Sequence, residues 1–209
     1  MTRLESTGWD ALVVLFYSPV ALGSLLWLFR LGGEWAVWRR TMGEHPLRDV
    51  GLGLLAGALL VGASRALARL PAGRAMVASM QEELGHLGPS SWVIVATSSA
   101  VGEELLFRGV LQPMWGLVAA SLLFALAHVP FERALWPWPL FAFAAGLVFG
   151  GLYALTGAVL AGVVAHALVN GLNLRWIARA STGSARSSPA HPPGGPPIAT
   201  PRTGSQTGG

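Results

Sequence analysis

The chain has 209 residues, of which 53% are hydrophobic and only 11% charged, with a mean hydropathy of +0.54. A water-soluble domain carries about 25% charged residues, so this composition excludes a solvated globular surface and points to a polytopic membrane protein of one domain. The formal net charge of +4 and pI ≈ 11.0 rest on arginine alone, with no lysine and no cysteine. Disulfides, thiolate metal sites and thiol catalysis are thereby excluded, and arginines placed between apolar runs are the pattern of membrane orientation, not of nucleic-acid binding.

The first apolar run, Ala11 to Phe29, is bounded by Asp10 and Arg30 and lacks the short core and small-residue cleavage site of a signal peptide. It reads as a first transmembrane helix with a kink at Pro19. Leu31 to Asp49 reads as a polar connection. Val50 to Ala63, continuing towards Leu70, reads as a second span in which Gly53 and Gly57 form a small-xxx-small pair suited to close helix packing. Pro71 to Pro89 is amphipathic and expected at the interface.

Ser90 to Leu111 gives a third span ended by Pro113, and Trp115 to Val129 a fourth. The Pro- and Trp-rich segment Phe131 to Pro139 is expected at headgroup level, with Trp136 and Trp138 as belt anchors. Leu140 to Leu155 is a fifth span, with Gly146, Gly150 and Gly151 allowing close approach. After a tight turn at Thr156-Gly157, Ala158 to Trp176 is a sixth. The remaining Ser-, Gly-, Pro- and Thr-rich tail cannot bury a core and is expected to be disordered. The expected fold is all-α, a transmembrane helical bundle of about six spans. Its parts are N-terminal helices and an interfacial segment over 1–89, a core over 90–177 and a tail over 178–209. The positive-inside bias places both termini in the cytoplasm if the span count is even.

The third span carries Glu103, Glu104 and Arg108. Ionisable groups at membrane depth cost ~3 kcal/mol each on insertion scales and by default mark a working site. Glu104 and Arg108, four apart, share a helix face and can pair. Glu103 is turned about 100° away and faces a different neighbour. Two further pairs lie four apart on later spans, Phe124 with the polar His128, and His166 with Asn170. A glutamate flanked by imidazoles in a dehydrated pocket is suited to general-base work, and imidazole and carboxamide N–H groups can donate to an oxyanion. These are the parts needed to add water to a carbonyl. Other readings stay open from the residues alone. Glu104–Arg108 can be a purely structural pair, His166 and Asn170 can be interhelical hydrogen-bond glue, and intramembrane Glu and His chains also serve proton-coupled carriers.

In order and spacing, Glu103-Glu104-x-x-x-Arg108, Phe124-x-x-x-His128 and His166-x-x-x-Asn170 resemble the signature of the CAAX protease and bacteriocin-processing family of intramembrane endopeptidases. The stretches EELLFRG, SLLFALAH, GLVFGGLYALTG and VVAHALVNGL read like bacterial members. The resemblance covers roughly Ser90 to Ile177. It implies an enzyme of the bacterial inner membrane that hydrolyses a peptide bond in a membrane-associated or lipidated protein or peptide. Glu103 would activate water, His128 would orient or share its proton, and His166 and Asn170 would stabilise the oxyanion. Glu104, Arg108 and Phe124 would support the pocket, the first two also as a possible receiver of a substrate carboxylate. No cofactor is expected; a divalent metal such as Zn²⁺ would take Glu103, His128 and His166, but the His-Glu-x-x-His spacing of a strong zinc site is missing. The expected partners are the peptide substrate and the bilayer, with no nucleic acid. The alternative is a non-proteolytic immunity or scaffold protein on the same fold.

Overall fold

The computed structural model describes residues 3–84 and 87–186, and among these every regular element is a helix. The first helix, α1, runs Arg3–Met42, with its helical geometry broken at Gly32 and Gly33. Gly33 sits at φ 66°, in the left-handed region that a side chain disfavours. The break therefore lies there and not at Pro19, and most of the expected polar connection is helix. The chain turns only at Gly43 (φ 72°), and Pro46, whose missing N–H costs nothing in a first turn, opens α2 (Pro46–Leu67).

Helix α2 packs against the last helix, α7 (Leu160–Arg186), through the glycines the sequence singles out. A Cβ at Gly53 would lie 2.5 Å from the Ala161 carbonyl oxygen, and one at Gly57 3.0 Å from that of Ala165. Both alanines are fully buried. Gly-x-x-x-Gly thus lies backbone to backbone against Ala-x-x-x-Ala, and packing, not hydrophobicity, drives such contacts where the solvent is lipid. Leu60, Ala145, Phe149, Ala165 and Val169 continue this seam into a core between α2, α6 and α7.

The short helix α3 (Pro71–Leu84) is followed by α4 (Pro89–Glu104), which passes without a loop into a π-helical turn, Leu105–Leu111, and then α5 (Gln112–Leu126). Pro113 has no N–H for the Gly109 carbonyl, and its ring crowds that same group. A wider turn just upstream relieves both, and π turns often mark functional sites. The reversal of direction comes at Gly116 (φ 83°), not at Pro113. The segment beyond it carries His128 back to within 3.6 Å of Glu103. A 3-10 turn, Arg133–Leu135, leads into α6 (Pro137–Thr156), which Gly157 (φ 73°) ends in a left-handed C-cap, as the expected tight turn requires. On α6, Gly146 and Gly150 give close approach to the π segment and α5, whereas Gly151 faces open space.

Among the described residues, four stretches are long and apolar enough to cross a membrane: Gly8–Met42, Pro46–Leu67, Pro89–Leu126 and Arg133–Thr156. The protein is integral to the membrane. Against the six expected spans, the third and fourth merge into one helical stretch with a reversal inside it. Helix α7 is not among the four, since His166, Asn170, Asn173 and Arg175 interrupt its apolar run. It can carry them because α2, α3, α4 and α6 pack around it. Helix α7 continues to Arg186, beyond the expected tail boundary at 177; the tail from 187 to 209 lies outside the described residues.

Candidate active site

Helix α4 delivers two adjacent carboxylates to different neighbours, as the helical period requires. Glu104 turns inward. It is fully buried, and its Oε1 lies 3.2 Å from Arg108 Nη1 and 3.0 Å from His166 Nδ1. Arg108, itself 1% exposed, donates from Nη2 to the Gly146 carbonyl at 3.0 Å, and its guanidinium lies 4.6 Å from the centre of the Phe124 ring. A desolvated cation over an aromatic face adds up to ~2 kcal/mol. Gly162 on α7 makes room for this group, since a Cβ there would meet Glu104 Oε2 at 2.7 Å. A substrate carboxylate cannot reach Arg108, so that part of the expected role is corrected: both Glu104 and Arg108 lie behind the site.

Glu103 faces outward to a cavity of about 620 Å³, whose wall also includes Tyr17, Ser99, His128, Asn170 and a large apolar surface. Its side chain is 12% exposed and that of His128 16%. Oε1 accepts a 2.7 Å hydrogen bond from the Tyr17 hydroxyl. Oε2 is buried without a hydrogen-bond partner and faces His128 Nε2 at 3.6 Å and His166 Nε2 at 3.9 Å.

Donor–acceptor matching assigns the tautomers. His128 Nδ1 lies 2.7 Å from the Phe124 carbonyl oxygen, which can only accept, so Nδ1 carries the hydrogen. His166 Nδ1 faces the Arg108-paired Glu104 carboxylate, so it too is the donor. Both Nε2 atoms therefore aim at the same carboxylate oxygen. One carboxylate and two imidazoles thus meet at a single point, a cluster of the groups that acid–base chemistry uses.

Asn170 completes the wall. Its Nδ2 donates to Ser99 Oγ at 3.1 Å, leaving a second N–H on the same nitrogen. His166 is 3% exposed, stacks on Phe149 with ring centres 5.0 Å apart and is not part of the cavity wall. The structure thus brings all seven expected site residues together but splits them. Glu103, His128 and Asn170 face the cavity, while Glu104, Arg108, Phe124 and His166 stand behind them. Among the described residues no group of three His, Cys, Asp or Glu side chains is arranged to hold a metal ion. The gaps of 3.6 and 3.9 Å from Glu103 Oε2 to the imidazoles exceed the roughly 3.3 Å between neighbouring ligands around a tetrahedral zinc. Glu103, His128 and His166 therefore do not fit the zinc alternative as placed.

Two residues of the site escape a motif reading. Tyr17 lies on α1, 86 residues before Glu103; the signal for it was a polar tip inside an apolar run, in a chain with two tyrosines. Trp138, expected as a belt anchor, lines the cavity and packs edge-on to His128 with ring centres 5.6 Å apart.

Residues 86–172 match the family model described as type II CAAX prenyl endopeptidase Rce1-like, which bears out the family resemblance over nearly the stretch expected. A segment of 73 residues is 41% identical to the uncharacterized protein YpbD of Bacillus subtilis (strain 168). It covers 34% of this chain and 37% of that protein, so the match spans little more than a third of the relative's length. No solved structure matches the chain.

Proposed function

We propose that the chain with this Rce1-like domain is an intramembrane endopeptidase of the bacterial inner membrane, hydrolysing a peptide bond of a membrane-associated or lipidated protein through water activated by Glu103. The observation that carries the reading is the buried Glu103 Oε2, set at the edge of a mostly apolar cavity and faced by two imidazole Nε2 atoms. Water adds its oxygen to the scissile carbonyl carbon and gives a proton to Glu103. The oxyanion is held by the free N–H of Asn170. The proton then passes, directly or through His128, to the leaving amide nitrogen as the C–N bond breaks. His166, held by Glu104 and through it by Arg108, stands behind the Glu103 carboxylate.

Phe16, Met76, Met80 and Phe141 on the cavity wall suit a lipid-modified or strongly apolar peptide segment. The family description names a CAAX prenyl endopeptidase, so a quenched fluorescent peptide ending in a farnesylated CAAX sequence is the first probe, beside a survey of cleavage products in total membranes. Wild type, Glu103→Gln and His166→Ala are compared at equal membrane abundance, with and without a chelator. Loss of the products in both variants, with retention under chelator, is the expected result; losing a general base costs about 10²–10⁴-fold. Unchanged products in Glu103→Gln would move the reading to a non-proteolytic immunity or scaffold protein. Products lost under chelator alone would move it to metal chemistry.

A further inference from the structure

We infer that Tyr17, on the first helix and outside the family-matched residues 86–172, is a positioning residue for Glu103. The inference rests on the reading of Glu103 as the base. Tyr17 Oη donates to Glu103 Oε1 at 2.7 Å, a charge-assisted bond of the stronger kind. A carboxylate on a flexible stem has two equivalent oxygens and several rotamers. Fixing Oε1 leaves Oε2 as the oxygen presented to His128 and His166 at 3.6 and 3.9 Å.

The approach of the two helices is built around this contact. Gly102, directly before Glu103, lies under the tyrosine, and a Cβ there would come within 2.9 Å of Tyr17 Cδ1. A side chain at this position would force the ring to shift from the place where its hydroxyl reaches the next carboxylate. Phe16, adjacent in sequence, packs edge-on to the Tyr17 ring with centres 5.0 Å apart. The ring also forms part of the cavity wall, so its hydroxyl closes one side of the space in which the water must be held. The matched domain alone therefore does not contain the whole site: α1 supplies the group that orients its base.

Two readouts test this on the full chain in detergent or proteoliposomes. The first needs no substrate. The chain has two tyrosines, Tyr17 and Tyr153, so fluorotyrosine labelling gives two ¹⁹F resonances, and Tyr17→Phe identifies one of them. That resonance is expected to move in Glu103→Gln while the Tyr153 resonance stays in place. A Tyr17 resonance unmoved by Glu103→Gln overturns the inference. The second is kinetic, on the farnesylated CAAX peptide or on whichever membrane product Glu103→Gln abolishes. Tyr17→Phe, which keeps the ring and its packing, is expected to lower kcat about tenfold to a hundredfold, the range for one hydrogen bond to a charged group, with KM within about twofold. Added to Glu103→Gln it is expected to cost nothing more, since the two act as a unit. A raised KM at unchanged kcat would make Tyr17 a substrate contact, and an unchanged kcat would leave it structural; either overturns the inference. Activity retained in Glu103→Gln would instead sink the protease reading, with the ¹⁹F result still deciding whether the hydrogen bond exists.

Discussion

His166 meets Glu104 at 3.0 Å, Nδ1 to Oε1, across 62 residues of sequence and with both side chains buried. The other edge of the same imidazole faces Glu103. The two adjacent glutamates are thus joined through one ring, with Glu104 setting its orientation and Glu103 facing the cavity. Carboxylates one residue apart have different partners because their helix turns them to different surroundings.

Arg108 is the counter-charge that makes this burial tolerable. Arg108→Met leaves the Glu104 carboxylate buried beside a single imidazole, and breaking such a pair costs about 3–5 kcal/mol. Thermal unfolding in detergent is expected to show that loss. The double variant Glu104→Met, Arg108→Met should recover most of the stability without recovering cleavage. A single variant as stable as wild type would show that the pair contributes little to the fold.

His128 stands on the cavity wall, tied to the Phe124 carbonyl and packed edge-on to Trp138, with its side chain partly exposed. His128→Gln is expected to reduce peptide cleavage by about 10²–10⁴-fold with membrane abundance unchanged. Equal turnover in the variant would remove His128 from the proton path.

Gly162 faces Glu104 from α7. The added methyl of Gly162→Ala would lie 2.7 Å from Oε2, and overpacking of this kind costs about 1–3 kcal/mol. Gly151 on α6 has nothing within 4 Å of such a methyl, so Gly151→Ala is expected to be neutral or to gain about 0.5–1 kcal/mol from helix propensity. Thermal unfolding of the two variants side by side measures the difference, and equal midpoints would contradict the packing described.

The α2–α7 seam gives a test at a distance from the chemistry. A Cβ at Gly53 would press on the backbone oxygen of Ala161, while one at Gly51 meets nothing within 4 Å. Gly53→Ala should lower stability by about 1–3 kcal/mol and also reduce cleavage, because α7 carries His166 and Asn170. Gly51→Ala should leave cleavage unchanged and be neutral or gain about 0.5–1 kcal/mol in stability. Cleavage unaffected by Gly53→Ala would mean that α7 holds its place without this contact.

Composition and periodicity determined the membrane class, the all-helical fold, the tight turn at Thr156-Gly157 and the role of Gly53 and Gly57, because each is a local consequence of residue type. Glu103, Glu104, Arg108, His128, His166 and Asn170 stand out in the same way, whereas Phe124 joins them only through the family resemblance. An ionisable group in an apolar run is conspicuous whatever lies around it, since its desolvation has to be offset. Only the tertiary structure decided which of them face the cavity and which stand behind. It also decided that the chain reverses at Gly116, that α7 can be less apolar because other helices surround it, and that Tyr17 and Trp138 reach the site. Those outcomes depend on contacts between residues far apart in the chain, and helical spacing carries no information about which neighbouring helix a given face will meet.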